Sequence, residues 1–139
     1  MHASSAWRLT SAAGALYSLV GATFVAASFD DGALAFLDAL LVPDEGPITP
    51  SVRLYAAVMG AVVMGLGVMI ARVATSVDRG SAAIGRALRD AVLVWFVADT
   101  TASLLHGSWQ NALFNLLALA VGLPPILLAV RSSAEPRHT

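Results

Sequence analysis

The sequence predicts an all-α protein: a four-transmembrane-helix bundle with a short interfacial helix between the first two spans. Three observations lead there. The 139 residues are 58% hydrophobic and only 12% charged, with mean hydropathy +0.76. Four apolar stretches reach or approach the roughly 20 residues that a helix needs to cross a bilayer. Arginines gather at alternate connections between those stretches. A soluble domain carries roughly 25% charged residues. A chain this small keeps most of its residues near its surface and needs a polar coat in water. The charge available cannot supply that coat, whereas lipid makes it unnecessary. The length fits a single integral membrane domain, residues 1–139.

The first span is expected at 9–27, without a charge. Arg8 before it and Ala26–Ala27–Ser28 at its end resemble a signal peptide. The apolar run is longer than the roughly 7–15 residues of such a segment, so it reads as a retained helix. The second span, 54–74, meets a charge only near its end, at Arg72. The third contains Asp99; from Ala91 to about Leu105 it is short, and extended to Trp109 it covers 91–109. The fourth, 112–130, contains Pro124 and Pro125, which remove ladder donors and are expected to kink it.

Between the first two spans, Leu34, Phe36, Leu37, Leu40 and Leu41 alternate with Asp30, Asp31 and Asp38. That segment is too short and too charged to span, and predicts a helix lying at the interface. Asp44 and Glu45 add to the acidic residues, and Pro43, Pro47 and Pro50 then make the approach to the second span irregular.

Arg8 precedes the first span, Arg72, Arg79, Arg86 and Arg89 crowd the second connection, and Arg131 and Arg137 follow the last span. The third connection has no arginine, and the first has Arg53 only at its edge. Arginine marks the cytoplasmic side. The expected topology is therefore multi-pass, with N- and C-termini cytoplasmic. All eight basic residues are arginine, which reads as the codon bias of a high-GC bacterium and places the chain in a bacterial inner membrane.

In lipid, small residues let helices approach closely enough for van der Waals contact to accumulate. Thr10, Gly14, Ser18 and Gly21 share one face of the first span, and Ala57, Gly60, Met64 and Gly67 one face of the second, with Arg53 at its head. Each face predicts a helix seam within the chain, a homodimer interface being the alternative.

Several chemistries have no support. The absence of cysteine removes disulfides, thiolate nucleophiles and cysteine-held metals. No phosphate-binding glycine loop, paired-histidine motif or nucleophile elbow occurs. His2, His106 and His138 have no ligand spacing, so no metal site is expected. A net charge of −1 gives no reason to expect nucleic acid.

Asp99 stands out. A carboxylate near the middle of a span costs several kcal/mol unless it is paired, protonated or hydrated. Trp95, Asp99, Ser103 and His106 fall on one helical stripe, and Asn111 and Asn115 open the next span on one face. Facing stripes would form a polar pocket toward the outer side, with Arg53 as the natural partner of Asp99. The ligand-binding set is thus Arg53, Trp95, Asp99, Ser103, His106, Asn111 and Asn115. A purely structural role, with Asp99 cross-linking helices, is the competing reading. Trp7 and Trp109 sit where aromatic-belt residues belong.

With its glycine-bearing first span (Gly14, Gly21), irregular outer segment, "RLYAAVMGAVVMGLG" from Arg53 to Gly67 and "WFVADTTASLLHGSWQNALFN" from Trp95 to Asn115, the chain resembles the small four-helix bacterial membrane proteins called DoxX-like, including DUF4345-type members. The resemblance implies the four-helix fold. It also implies an association with quinone-linked oxidation or with accessory roles in redox complexes, but no particular reaction.

The function expected first is binding of a lipid-like, quinone or isoprenoid ligand in an intramembrane pocket near Asp99, with membrane lipid as partner and no other cofactor evident. The alternatives are an accessory or assembly subunit of a larger membrane redox complex, and a lipid- or isoprenoid-modifying enzyme with Asp99 as acid or base and His106 as its proton partner. The balance leans away from an enzyme.

Overall fold

The computed structural model describes residues 3–41, 46–75 and 82–134, and within them the chain is helical, with five helices. In chain order they are α1 (Ala3–Ala27), α2 (Asp31–Leu41), α3 (Pro50–Thr75), α4 (Ala82–Leu105) and α5 (Trp109–Ala134). Pro43, Asp44, Glu45, Arg79, Arg137, His2 and His138 lie outside the described residues.

Local chemistry sets the helix ends. The Asp30 carboxylate accepts the Ala33 N–H at 2.8 Å and starts α2. Thr49 Oγ1 accepts the Val52 N–H at 3.3 Å, with Pro50 as first residue of α3, where a missing N–H costs nothing. Gly107, at φ +78°, ends α4: the Ser108 N–H bonds the Ser103 carbonyl at 2.8 Å and the Gly107 N–H that of Leu104 at 3.1 Å. This paired return of the chain needs the left-handed conformation that glycine adopts freely. It leaves His106–Ser108 as the whole connection, so α4, the third expected span, stops at Leu105 rather than reaching Trp109, which instead opens α5. α5 then runs unbroken through Pro124 and Pro125.

Three helices are long and apolar enough to cross a membrane: Ser5–Ala27, Pro50–Thr75 and Trp109–Ser132. That is one fewer than the four expected. α4 is 24 residues long but carries Arg86, Arg89, Asp90 and Asp99, which lower its hydropathy below that of the other three.

The helices pack as two antiparallel pairs. α1 and α3 meet along the predicted small-residue faces. A Cβ on Gly14 would lie 2.6 Å from the Ala71 backbone nitrogen, and one on Gly60 would lie 2.6 Å from the Gly21 carbonyl oxygen. Gly21 and Gly67 are as crowded, against Met64 and Ser18 backbone. Ser18 Oγ bonds the Gly14 carbonyl at 3.0 Å and reaches across to that of Met64 at 3.4 Å. The seam lies inside the chain. α4 and α5 form the second pair, and α5 also packs against α1.

At the end where α1 starts and α5 finishes, all four long helices converge. Ala6, Trp7, Ile70, Ala74, Leu88, Val92, Ile126 and Ala129 form one buried apolar cluster. Trp7 belongs to this core, 3% exposed, and is not the belt residue expected from its position in sequence; Trp109, 59% exposed, has the exposure a belt residue needs. At the opposite end no such cluster joins the two pairs among the described residues. There α2 lies against α1 and α5, burying Leu34 and Leu41.

Candidate ligand cavity

The separation of the pairs away from the apolar plug leaves a cavity of about 480 Å³. α1 contributes Tyr17, Val20 and Phe24, α3 Met59 and Val63, α4 Trp95 and Asp99, and α5 Asn111, Phe114, Asn115 and Ala118. Its walls are mostly apolar. A second cavity, of about 550 Å³, lies toward α2 and shares Phe24, Met59 and Asn111 with the first. Leu34, Leu37 and Asp38 of α2, together with Ser103 and His106, line it.

Trp95 and Asp99 sit one helical turn apart and so enter the first cavity together. Asn115, 2% exposed, donates to Thr100 Oγ1 at 3.4 Å. Asn111 donates to Ser103 Oγ at 2.7 Å, and Ser103 donates to the Asp99 backbone carbonyl at 2.7 Å. These bonds tie α4 to α5 and hold the predicted stripes face to face. The Asp99 side chain takes no part: among the described residues its half-buried carboxylate has neither a hydrogen bond nor an ion pair.

Arg53 is not its partner. Its guanidinium pairs with Asp31 at the start of α2 and donates to the Ser28 carbonyl, just past the end of α1, at 3.1 Å. Arg53 lies at the head of the seam, so its side chain meets the α1–α2 corner and lines neither cavity. His106 is exposed in the short α4–α5 connection and lines only the second cavity, whereas Asp99 lines only the first. The geometry does not bring them together as an acid–base pair. No group of His, Cys, Asp or Glu among the described residues could hold a metal ion.

Of the expected set, Trp95, Asp99, Asn111 and Asn115 line the first cavity, Ser103, His106 and Asn111 the second, and Arg53 neither. Sequence reasoning missed the α1 and α3 walls and Thr100. It also missed Tyr17, whose hydroxyl donates to the Ala118 carbonyl at 2.7 Å and whose ring meets Trp95 edge-on, centroids 6.1 Å apart. Gly122 makes this possible: a Cβ there would lie 2.6 Å from the Tyr17 hydroxyl oxygen. The available signal was the pairing of a tyrosine inside an apolar span with a glycine inside another.

No family model, curated protein or solved structure matches this chain.

Proposed function

We propose that this chain is a four-span protein of the bacterial inner membrane, DoxX-like in fold, with both termini cytoplasmic, and that it binds a lipid-like amphiphile, of the lipid, quinone or isoprenoid kind, beside Asp99. The observation that carries the reading is the cavity of about 480 Å³, with mostly apolar walls and Tyr17, Trp95, Asp99, Asn111 and Asn115 as its residues with polar groups. Small-molecule sites have this character: roughly 300–1,000 Å³, mostly apolar, with a few polar groups that fix orientation.

Three contacts support a fourth crossing by α4. Gly85 lies against Val130, Thr100 receives the Asn115 bond and Ser103 that of Asn111, so α4 accompanies α5 along its length. At 1.5 Å per residue its 24 residues extend about 36 Å, enough to span. Arg86, Arg89 and Asp90 fall in its first turns, where charged heads reach the interface, which leaves Asp99 as the charge at depth.

The test is mass spectrometry of what remains bound after gentle extraction, with Val63→Trp as a variant that fills the cavity from the α3 wall. The native chain is expected to retain an amphiphile that the variant has lost. A native chain that carries nothing, or a variant that retains the same complement, overturns the reading.

A further inference from the structure

We infer that the polar end of the ligand is a protonated amine, so that the cavity selects lipophilic ammonium compounds over alcohols and rejects acids and phosphate esters. This rests on the binding function proposed above and specifies its ligand class.

The first ground is charge. Asp99 is the one ionisable carboxyl on the first cavity wall, and no arginine, lysine or histidine among the described residues lines that cavity with it. A carboxylate in apolar surroundings is costly unless it is paired, protonated or hydrated, and a cation beside it removes that cost. Arg53, the cation closest to this role in the sequence reading, is held by Asp31 and the Ser28 carbonyl. An ammonium head supplies the missing charge, whereas a carboxylate or phosphate head adds a second negative charge in a region where repulsion is poorly screened.

The second ground is the wall itself. Tyr17, Phe24, Trp95 and Phe114 all line the cavity that holds Asp99. Aromatic faces attract cations through their quadrupole, and aromatic walls beside a carboxylate suit an organic ammonium better than a neutral head. The third ground is the hydrogen-bond inventory. Asn111 and Asn115 each spend an amide N–H on Ser103 and Thr100, while the Asp99 carboxyl has no hydrogen-bond partner among the described residues. An ammonium head donates to that carboxyl, which an acceptor-only head does not.

The experiment compares a tetradecyl amine, alcohol and carboxylic acid of equal chain length, added to the full chain in phosphatidylcholine nanodiscs, with empty nanodiscs as the partition control. Intrinsic tryptophan fluorescence and native mass spectrometry read binding. The amine is expected to bind at least about tenfold more tightly than the alcohol, with the acid weakest. Asp99→Asn is expected to abolish the amine preference, and Asp99→Glu to retain it. Equal binding of amine and alcohol by the native chain, or an amine preference that survives in Asp99→Asn, overturns the inference and leaves the binding function standing. If none of the three binds and no amphiphile co-purifies, the binding function falls as well. The native-chain comparison decides the matter even if Asp99→Asn does not fold.

Discussion

The Tyr17 hydroxyl donates a 2.7 Å hydrogen bond to the Ala118 carbonyl, joining the middle of α1 to the middle of α5 where the two helix pairs begin to diverge. On one side of this bond lies the apolar plug at the closed end, on the other the cavity. Gly122 lies one turn further along α5 and leaves the space that the phenol occupies.

Tyr17→Phe is expected to cost about 0.5–1.5 kcal/mol. Gly122→Ala is expected to cost more, because a Cβ there meets the hydroxyl at 2.6 Å. The double variant should be less destabilised than the two single losses added together, since removing the hydroxyl relieves part of the clash. Unfolding in detergent–dodecyl sulfate mixtures measures all three. Strict additivity would show that the two positions act independently.

The seam between α1 and α3 predicts a sharp contrast between neighbouring glycines. Gly67→Ala is expected to destabilise by about 3 kcal/mol, at the upper end of overpacking costs, because its Cβ would meet Ser18 backbone that cannot move aside alone. Gly65→Ala, which meets nothing within 4 Å, should be neutral or slightly stabilising through its better helix propensity. Equal losses at the two positions would contradict the seam.

Arg53 and Asp31 should couple weakly, by about 1 kcal/mol or less, since Asp31 is largely exposed and water or headgroups screen the pair. The losses from Arg53→Gln and Asp99→Asn should add. Arg53→Gln should cost more than Asp31→Asn, because it also removes the bond to the Ser28 carbonyl. A double-mutant cycle for each pair checks this. A large Arg53–Asp99 coupling would return the arginine to the cavity.

The chain has no cysteine, so single introduced cysteines report on topology without background. Ala83→Cys and His106→Cys lie at exposed positions near opposite ends of α4. With four crossings, a membrane-impermeant maleimide applied to intact cells should label position 106 and not position 83. Equal accessibility of the two would mean that α4 does not cross.

Much of the architecture was legible along the chain because it follows from local periodicity and solvent chemistry. Apolar length located α1, α3 and α5, and helical spacing located both faces of the glycine seam. The Trp95–Asp99–Ser103 and Asn111–Asn115 stripes pointed to a shared polar face, where Asn111 bonds Ser103. Position in sequence misled for Trp7, which lies at the start of a span yet is buried where four helices converge. It misled also for Arg53, because a long guanidinium takes the nearest carboxylate, and α2 places Asp31 beside it.

Sequence alone determined the helices, their small-residue and polar faces and the composition that suits lipid, since each depends on residues within a few turns of one another. Tertiary structure alone decided where the helix pairs stay together and where they part. That depends on four distant segments meeting at Trp7, Ile70, Val92 and Ile126, while Tyr17 and Gly122 set the spacing above them. The resulting gap, and the unpartnered carboxylate facing it, are properties of the assembled bundle that no single helix contains.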